Sequence, residues 1–585
     1  MKNLYYSLIA LLLPASLAAQ DADYSSQLIA KSEEMRKQNI EKCKHGSYHH
    51  CCHSTIYMEA SRNRASLTPQ AQAYFRIAVT RPTFSGTELI YNTPYFAIHY
   101  TTSGADAVPL TDVNPANTIP DYIDFMASVF DTVHVNDVKD KYTMPPPDGT
   151  AGGSAAYDVY IKNLSPGLYG YCQPETQIND NPNSPFLIEK DAMTSYMVMN
   201  NSYTWTASTD TSIKVTCAHE FFHAIQFGYE SNDSHFLYEA TAVWMEDHRF
   251  PGLDDNLQYL PALFSLPDVA LNWDDQVDGS TYSGHFYSAW LYFKHMSDNT
   301  NDSIIRTIFI NSISNSDFDG INLALLQYGK DFKTDFQDFQ IANLLLIDSV
   351  NYPQYSYPRA QVYKNFISQA PYNLSGPKVE GTVNYAGIDQ TYTSNVNGNG
   401  RLLRLSADYI NVFPNQDCFI NMTPNNSSAV FDMVVVAKDA AGNFQIINTQ
   451  KTGNNFVANV NVTASYSQFT AIIYRNDYTV TDQSSENYSL KVQNVAATTA
   501  LTPMSGLMDI KLYPNPASEQ INIEAGIFSG LDIQIMDILG KAIYASSLQP
   551  DKQVINTSGL DNGIYFVTLK EKDKVVFIQK IIVNK

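Results

Sequence analysis

The amino-acid sequence predicts an α+β protein in which a lobe built on a mixed β-sheet joins an α-helical lobe, with two β-sandwiches behind them. Three observations carry that expectation. Alternating runs such as Tyr95-Phe96-Ala97-Ile98-His99-Tyr100 and Tyr157-Asp158-Val159-Tyr160-Ile161 read as strands, and Pro120 to Val133 between them reads as an amphipathic helix. Thr216 to Gln226 and Phe236 to Asp247 lack Gly and Pro and are rich in helix formers. Beyond residue 380, short apolar strands alternate with Asn/Gly turns, as in Leu402 to Leu405, Phe431 to Ala437 and Phe469 to Tyr474.

A chain of 585 residues, 44% of them hydrophobic, has material for several packed cores rather than one. Its net charge of -22 opposes binding to nucleic acid or to an anionic membrane surface. Export reads from the first residues: Lys2, the apolar run Leu8 to Leu13, and Leu17-Ala18-Ala19 before Gln20 form a secretory signal over 1–19. No later run approaches the length of a membrane span. Export permits disulfides among Cys43, Cys51, Cys52, Cys172, Cys217 and Cys418.

Residues 20–80 are a Cys/His-rich N-terminal segment, with Cys43, His45, His49, His50, Cys51, Cys52 and His53 crowded together. That cluster reads as a disulfide knot near an exposed terminus. A metal site, or a pro-region whose thiolate occupies a catalytic metal, are the alternatives. Residues 81–375 are the main domain. Asp112-Val113-Asn114 with Asn117 are candidate calcium ligands, against the plainer reading of a polar turn.

The chemistry concentrates in His219-Glu220-Phe221-Phe222-His223. On a helix the two histidines stand four residues apart on one face, so both imidazoles reach one metal ion, with Glu220 beside them to take a proton from bound water. Thr216, His219, Glu220, His223, Gln226 and Glu230 form one polar stripe on an otherwise apolar helix. A core helix with hydrogen-bonded histidines is the bland reading. Two histidines and a carboxylate desolvated together are costly without a cation, which disfavours it. Hydrolytic zinc takes three protein ligands and keeps one position open, and sixteen residues after His223 comes Glu239, in a second run of helix formers.

This pair of helices resembles the gluzincins, the thermolysin and aminopeptidase N type. Glu239 to Glu246 resembles the aminopeptidase pattern Glu-Gly-x-Ala-x-Tyr/Trp-x-Glu, with Ala240 in place of the glycine. Val215 to Asp247 is similar to a family of secreted bacterial metalloproteases carrying Thr-Ala-Ala-His-Glu-Phe-Phe-His-Ala-Ile-Gln-Phe-Gly-Tyr, and departs from it at Cys217. His99 to Gly104 and Asp148 to Gly153 also resemble that family. The resemblance implies zinc held by His219, His223 and Glu239, with Glu220 as general base on a protein or peptide substrate. It implies an oxyanion donor at the start of the helix opening at Thr281, Tyr282 first and His285 second. It further implies that Ser195 to Asn200, the last strand before the zinc helix, is the sheet edge that pairs with substrate. Glu246 and Asp247 back the ligand histidines or face solvent. The rival class is a non-catalytic cell-surface adhesin that retains the fold, which would have no need of Glu220. Cys172 is the cysteine nearest to Cys217 in the chain, and a disulfide between them is expected.

Two helical runs, Asp302 to Ser314 and Phe332 to Ile347, close the helical lobe, and around Tyr352 to Gly376 helix periodicity stops. Residues 380–497 read as a β-sandwich accessory domain, and 498–508 as a linker. In 509–585, Leu512-Tyr513-Pro514-Asn515-Pro516-Ala517, Ile533 to Gly540, Gly563 to Val567 and Gln579 to Val583 resemble the C-terminal sorting domain of type IX secretion. That resemblance implies the type IX machinery as a partner and passage across the outer membrane.

Overall fold

Phe96–Tyr100 is buried at every position, and so is Ala192–Asn200, which marks both as interior strands covered on two faces. The computed structural model describes residues 81–494 and 511–585 apart from 165, 185–186, 274–281, 283, 395–401, 440, 463–465, 467, 480–484, 526–531, 538–540, 548–550 and 572–573, and before them 21–30, 32–33, 60, 63 and 66–74. The secretory signal, Cys43, Cys51, Cys52 and the linker at 498–508 lie outside the described residues.

Five strands, β1 (Leu89–Asn92), β2 (Phe96–Tyr100), β3 (Tyr157–Lys162), β4 (Gly170–Asn179) and β5 (Ala192–Asn200), form a sheet in the order β1-β2-β3-β5-β4. β2, β3 and β5 run parallel, while β1 and β4 pair antiparallel at the two edges. The β2-to-β3 crossover carries helix α1 (Asp121–Lys139). One correction follows directly. β5, which contains Ser195 to Asn200, is not the sheet edge: β4 covers it and is itself the edge. Alternation along a strand shows which face is buried but not which strand is its neighbour, so the register of β4 on β5 decides the matter.

Helix α2 (Thr209–Phe227) lies on the same face as α1. Phe221 wedges edge-on against Phe96 at 5.2 Å and Tyr157 at 5.7 Å between ring centroids. Gly170 lets β4 approach the helix, because a Cβ there would stand 3.1 Å from both Thr216 Cγ2 and Met199 Sδ. On the opposite face Arg81 binds Asp158, Asp148 and Glu175, and His99 lies between Glu88 at 2.7 Å and Asp158 at 2.8 Å. These buried charges compensate one another and fasten the start of the domain to the sheet.

The helical lobe contains α3 (His235–Arg249), α4 (Leu260–Ser265), α5 (His285–Ser288), α6 (Trp290–Asp298), α7 (Ser303–Ser312), α8 (Asp317–Gln327), α9 (Phe332–Leu345) and α10 (Ala360–Ser368). α10 is a correction, since this stretch read as non-helical. Ala360, Tyr363 and Ile367 bury one face at helical spacing, a pattern masked in the sequence by flanking prolines and tyrosines. Arg249 at the end of α3 is held by Asp137 of α1 and by Asp140, which caps that helix, and this ties the helical lobe to the sheet lobe.

The sandwich consists of sheets β11-β10-β14-β8-β6 and β12-β13-β9-β15-β7. In chain order their strands are β6 (Val379–Tyr385), β7 (Gln390–Thr393), β8 (Ser406–Pro414), β9 (Cys418–Pro424), β10 (Asp432–Lys438), β11 (Phe444–Asn448), β12 (Gln450–Thr452), β13 (Asn455–Val460), β14 (Gln468–Arg475) and β15 (Tyr488–Asn494). Ile410, Val435 and Ile473 of the first sheet meet Ile420, Leu490 and Val492 of the second in one core. The other face of the first sheet carries Ala407, Tyr409, Val434, Val436, Ile472 and Tyr474 into the core of the helical lobe. Tyr409 Oη donates to the Gln340 side chain of α9 at 2.8 Å, and Tyr474 Oη to Gln337 at 2.6 Å. Residues 1–495 therefore form one compact unit, and 496–585 form a second. The second unit has its own core, built on Ile521, Ile523, Ile533, Ile535, Val567, Leu569 and Ile581. Its sheets are β16-β17-β20 and β19-β18-β21-β22, formed from Lys511–Tyr513, Gln520–Ala525, Asp532–Asp537, Ala542–Ser547, Asp551–Asn556, Gly563–Glu571 and Lys574–Val583 in chain order.

Candidate metal centre

α2 begins where the Ser208 side chain accepts from Thr211 N, and α3 begins where Ser234 accepts from Leu237 N. Every residue of α3 from His235 to Asp247 is buried, so its polar side chains are directed into protein. The two helices pack side by side and bring His219, His223 and Glu239 together, each offering a ligand atom within 4.8 Å of the others. Among the described residues no other group of three His, Cys, Asp or Glu side chains has this geometry. Glu239 Oε2 lies 3.1 Å from His219 Nε2 and 3.6 Å from His223 Nε2.

The outer nitrogens are held from behind. His219 Nδ1 is 2.7 Å from Glu246 Oε1, and His223 Nδ1 is 2.7 Å from Gln226 Oε1. Gln226 in turn donates from Nε2 to Tyr238 O and Thr241 Oγ1, both at 3.0 Å. Gln226 counted only as part of the polar stripe in the sequence, and Thr241 and Asp255 carried no signal there. Burial pushes the Asp255 carboxyl up to about 8, with the nearby Glu246 charge adding to the effect.

Burial opposes charge on His219, but hydrogen bonds to Glu239 and Glu246 outweigh it and raise the imidazole to about 10. Burial likewise opposes charge on Glu239, and the facing His223 and His219 overcome it and hold the carboxyl below its usual range. Burial raises Glu246 to about 6. His223 Nε2 and Glu239 Oε1 are buried without a hydrogen-bond partner, on side chains with no solvent exposure. Two imidazole nitrogens and a carboxylate form a zinc-type donor set, and a buried imidazole nitrogen and a buried carboxylate oxygen that both lack a hydrogen-bond partner fit a divalent cation.

Glu220 follows His219 on α2 and is buried. Glu246 backs His219, whereas Asp247 pairs with Arg359 at 3.5 Å. Tyr282 packs edge-on against Trp273 at 5.0 Å, beside a satellite cluster that includes Val269 and Leu403. His285 is buried on α5, both ring nitrogens lack partners, and burial lowers it to about 4, so the ring is neutral. The expected Cys172–Cys217 disulfide is absent. The Cys172 sulfur faces Tyr157 Oη at 3.6 Å, and Cys217 is buried in the core between the sheet and its helices. In the 112–118 turn, Asp112 accepts from the backbone N–H groups of Asn117 and Thr118, an arrangement that closes the turn by itself.

Residues 511–584 match the family described as Secretion system C-terminal sorting domain. The protein therefore belongs to the class exported by the type IX system, and it is secreted or held at the cell surface. Among the described residues no helix is long and apolar enough to cross a membrane. The chain is similar to an endo-acting ulvan lyase of Formosa agariphila, 30% identical over 77 residues, which are 13% of this chain and 15% of that protein. It is also similar to an ulvan lyase of Nonlabens ulvanivorans, 26% identical over 92 residues, 16% of this chain and 17% of that one. The chain thus spans about a sixth of the length of these curated relatives. Among solved structures, a surface component of the type-IX secretion system of Porphyromonas gingivalis is similar at 19% identity and a TM-score of 0.13, over 16% of this chain and 14% of that one.

Proposed function

We propose that residues 81–495 form a zinc-dependent metallopeptidase acting on protein or peptide substrates outside the cell. The observation that carries this reading is that His223 Nε2 and Glu239 Oε1 are buried without a hydrogen-bond partner, in one group with His219. His219, His223 and Glu239 would hold the zinc, which when bound supplies a Lewis acid in a dry site. Glu220 takes the proton of the attacking water and returns it to the leaving amine. Among the described residues β4 is the outermost strand of the sheet on the side of α2, and an edge strand suits an extended peptide laid along it. The oxyanion donor in this reading is Tyr282 or His285.

The test is zinc analysis together with cleavage of an unbiased peptide library. Glu220→Gln should keep its zinc and lose about 10²–10⁴ in turnover, the share typical of a positioned acid–base group. Glu239→Ala and His223→Ala should lose the metal. Full zinc occupancy in Glu239→Ala would refute the third ligand, and zinc-loaded protein that cleaves no peptide would refute the peptidase.

A further inference from the structure

The hydrogen-bond chain behind His223 can be read proton by proton. Thr241 Oγ1 donates its single hydrogen to Leu237 O at 2.6 Å, so toward Gln226 it can only accept. Tyr238 O is a carbonyl and also only accepts. Both lie 3.0 Å from the same atom of Gln226, which must therefore be the NH₂ group, and this fixes the orientation of the amide. The opposite atom, Oε1, is an acceptor 2.7 Å from His223 Nδ1. The hydrogen of that contact has to sit on the imidazole. A neutral His223 then carries its proton on Nδ1 and turns a bare lone pair outward from Nε2, the atom that has no hydrogen-bond partner in the protein.

We infer that Gln226 is the positioning residue of the metal centre, resting on the zinc reading above. It locks His223 in the ligand tautomer, and because its amide grips α3, it couples the helix bearing the histidines to the helix bearing Glu239. The choice of an amide follows from charge. Glu220, Glu239 and Glu246 already place three carboxylates around a site for one divalent cation, and His219 is the histidine backed by a carboxylate. A second backing carboxylate behind His223 would leave excess negative charge in a water-poor interior, whereas a neutral amide gives the same directional hold without it. Gln226 lies three residues after His223, so one helix carries both the ligand and its support.

The experiment uses the whole chain with ¹⁵N-labelled histidine and two variants, Gln226→Leu, which removes the amide, and Thr241→Val, which removes the acceptor that orients it. In metal-free wild type, the ring-nitrogen NMR signature of His223 should show a single tautomer protonated at Nδ1; in Gln226→Leu it should become a mixture. Zinc affinity, measured by competition with a chelator, should fall about 10–100-fold in Gln226→Leu and by less in Thr241→Val. The visible spectrum of cobalt-loaded Gln226→Leu should shift as the ligand geometry relaxes. An unchanged His223 tautomer and unchanged zinc affinity in both folded variants would overturn the inference. A wild type that binds no zinc but keeps the single tautomer, lost in Gln226→Leu, would overturn the zinc reading and leave the role of Gln226 toward His223 standing.

Discussion

Asp408 offers a quantitative test of how the sandwich is built into the first unit. It lies on β8 with no solvent exposure, accepts from Tyr488 Oη at 2.8 Å, and has a second oxygen without a partner. Burial, reinforced by the charges of Asp268 and Glu380, pushes its carboxyl up to about 8 from the ordinary 3.8. Because the folded pKa is the higher one, the folded chain holds one more proton than the unfolded chain from about pH 4 to about pH 8. Stability from this group is full below that window and is lost as pH rises through it. One proton is worth about 1.4 kcal/mol per pH unit, so about 3 kcal/mol should disappear between pH 5 and pH 7. Asp408→Asn keeps an oxygen for Tyr488 Oη and cannot titrate. Urea unfolding of both proteins at pH 5, 6 and 7, at fixed metal content, gives the difference between them and cancels every other titrating group. Parallel wild-type and variant profiles would refute the assignment of a buried, neutral carboxyl.

Other expectations concern the joints of the molecule and its chemistry. Tyr409→Phe and Tyr474→Phe each remove one hydrogen bond from the sandwich to α9 and should each cost about 1 kcal/mol in urea unfolding; no loss in either would mean that the sheet is not held there. Whichever of Tyr282→Phe and His285→Ala removes the oxyanion donor should lower kcat by about 10²–10³ at unchanged zinc content, and full turnover in both would exclude both residues. Deleting residues 509–585 should leave a folded first unit inside the periplasm, because the second unit has its own core. Fractionation that finds the truncated protein released into the medium as before would contradict the role of the sorting domain.

The spacing of His219 and His223, and the helix that follows with Glu239, were legible from residue order alone. A helical period is a local property of the backbone, so a four-residue separation places two side chains on one face whatever else the chain does. The export address was legible for a similar reason, since its strands and turns lie in one continuous segment with a core of its own. Tertiary structure decided the contacts made between distant segments. β4 rather than β5 became the sheet edge, because strand order is set by pairing and not by alternation. The first sheet of the sandwich buried its second face on α9, and Cys172 and Cys217 stayed unbridged, with Cys172 against Tyr157. The hold on His223 was decided there too: Gln226 can orient that ring only because the packing of α2 on α3 brings Tyr238 O and Thr241 Oγ1 within 3.0 Å, and no local pattern encodes the distance between two helices.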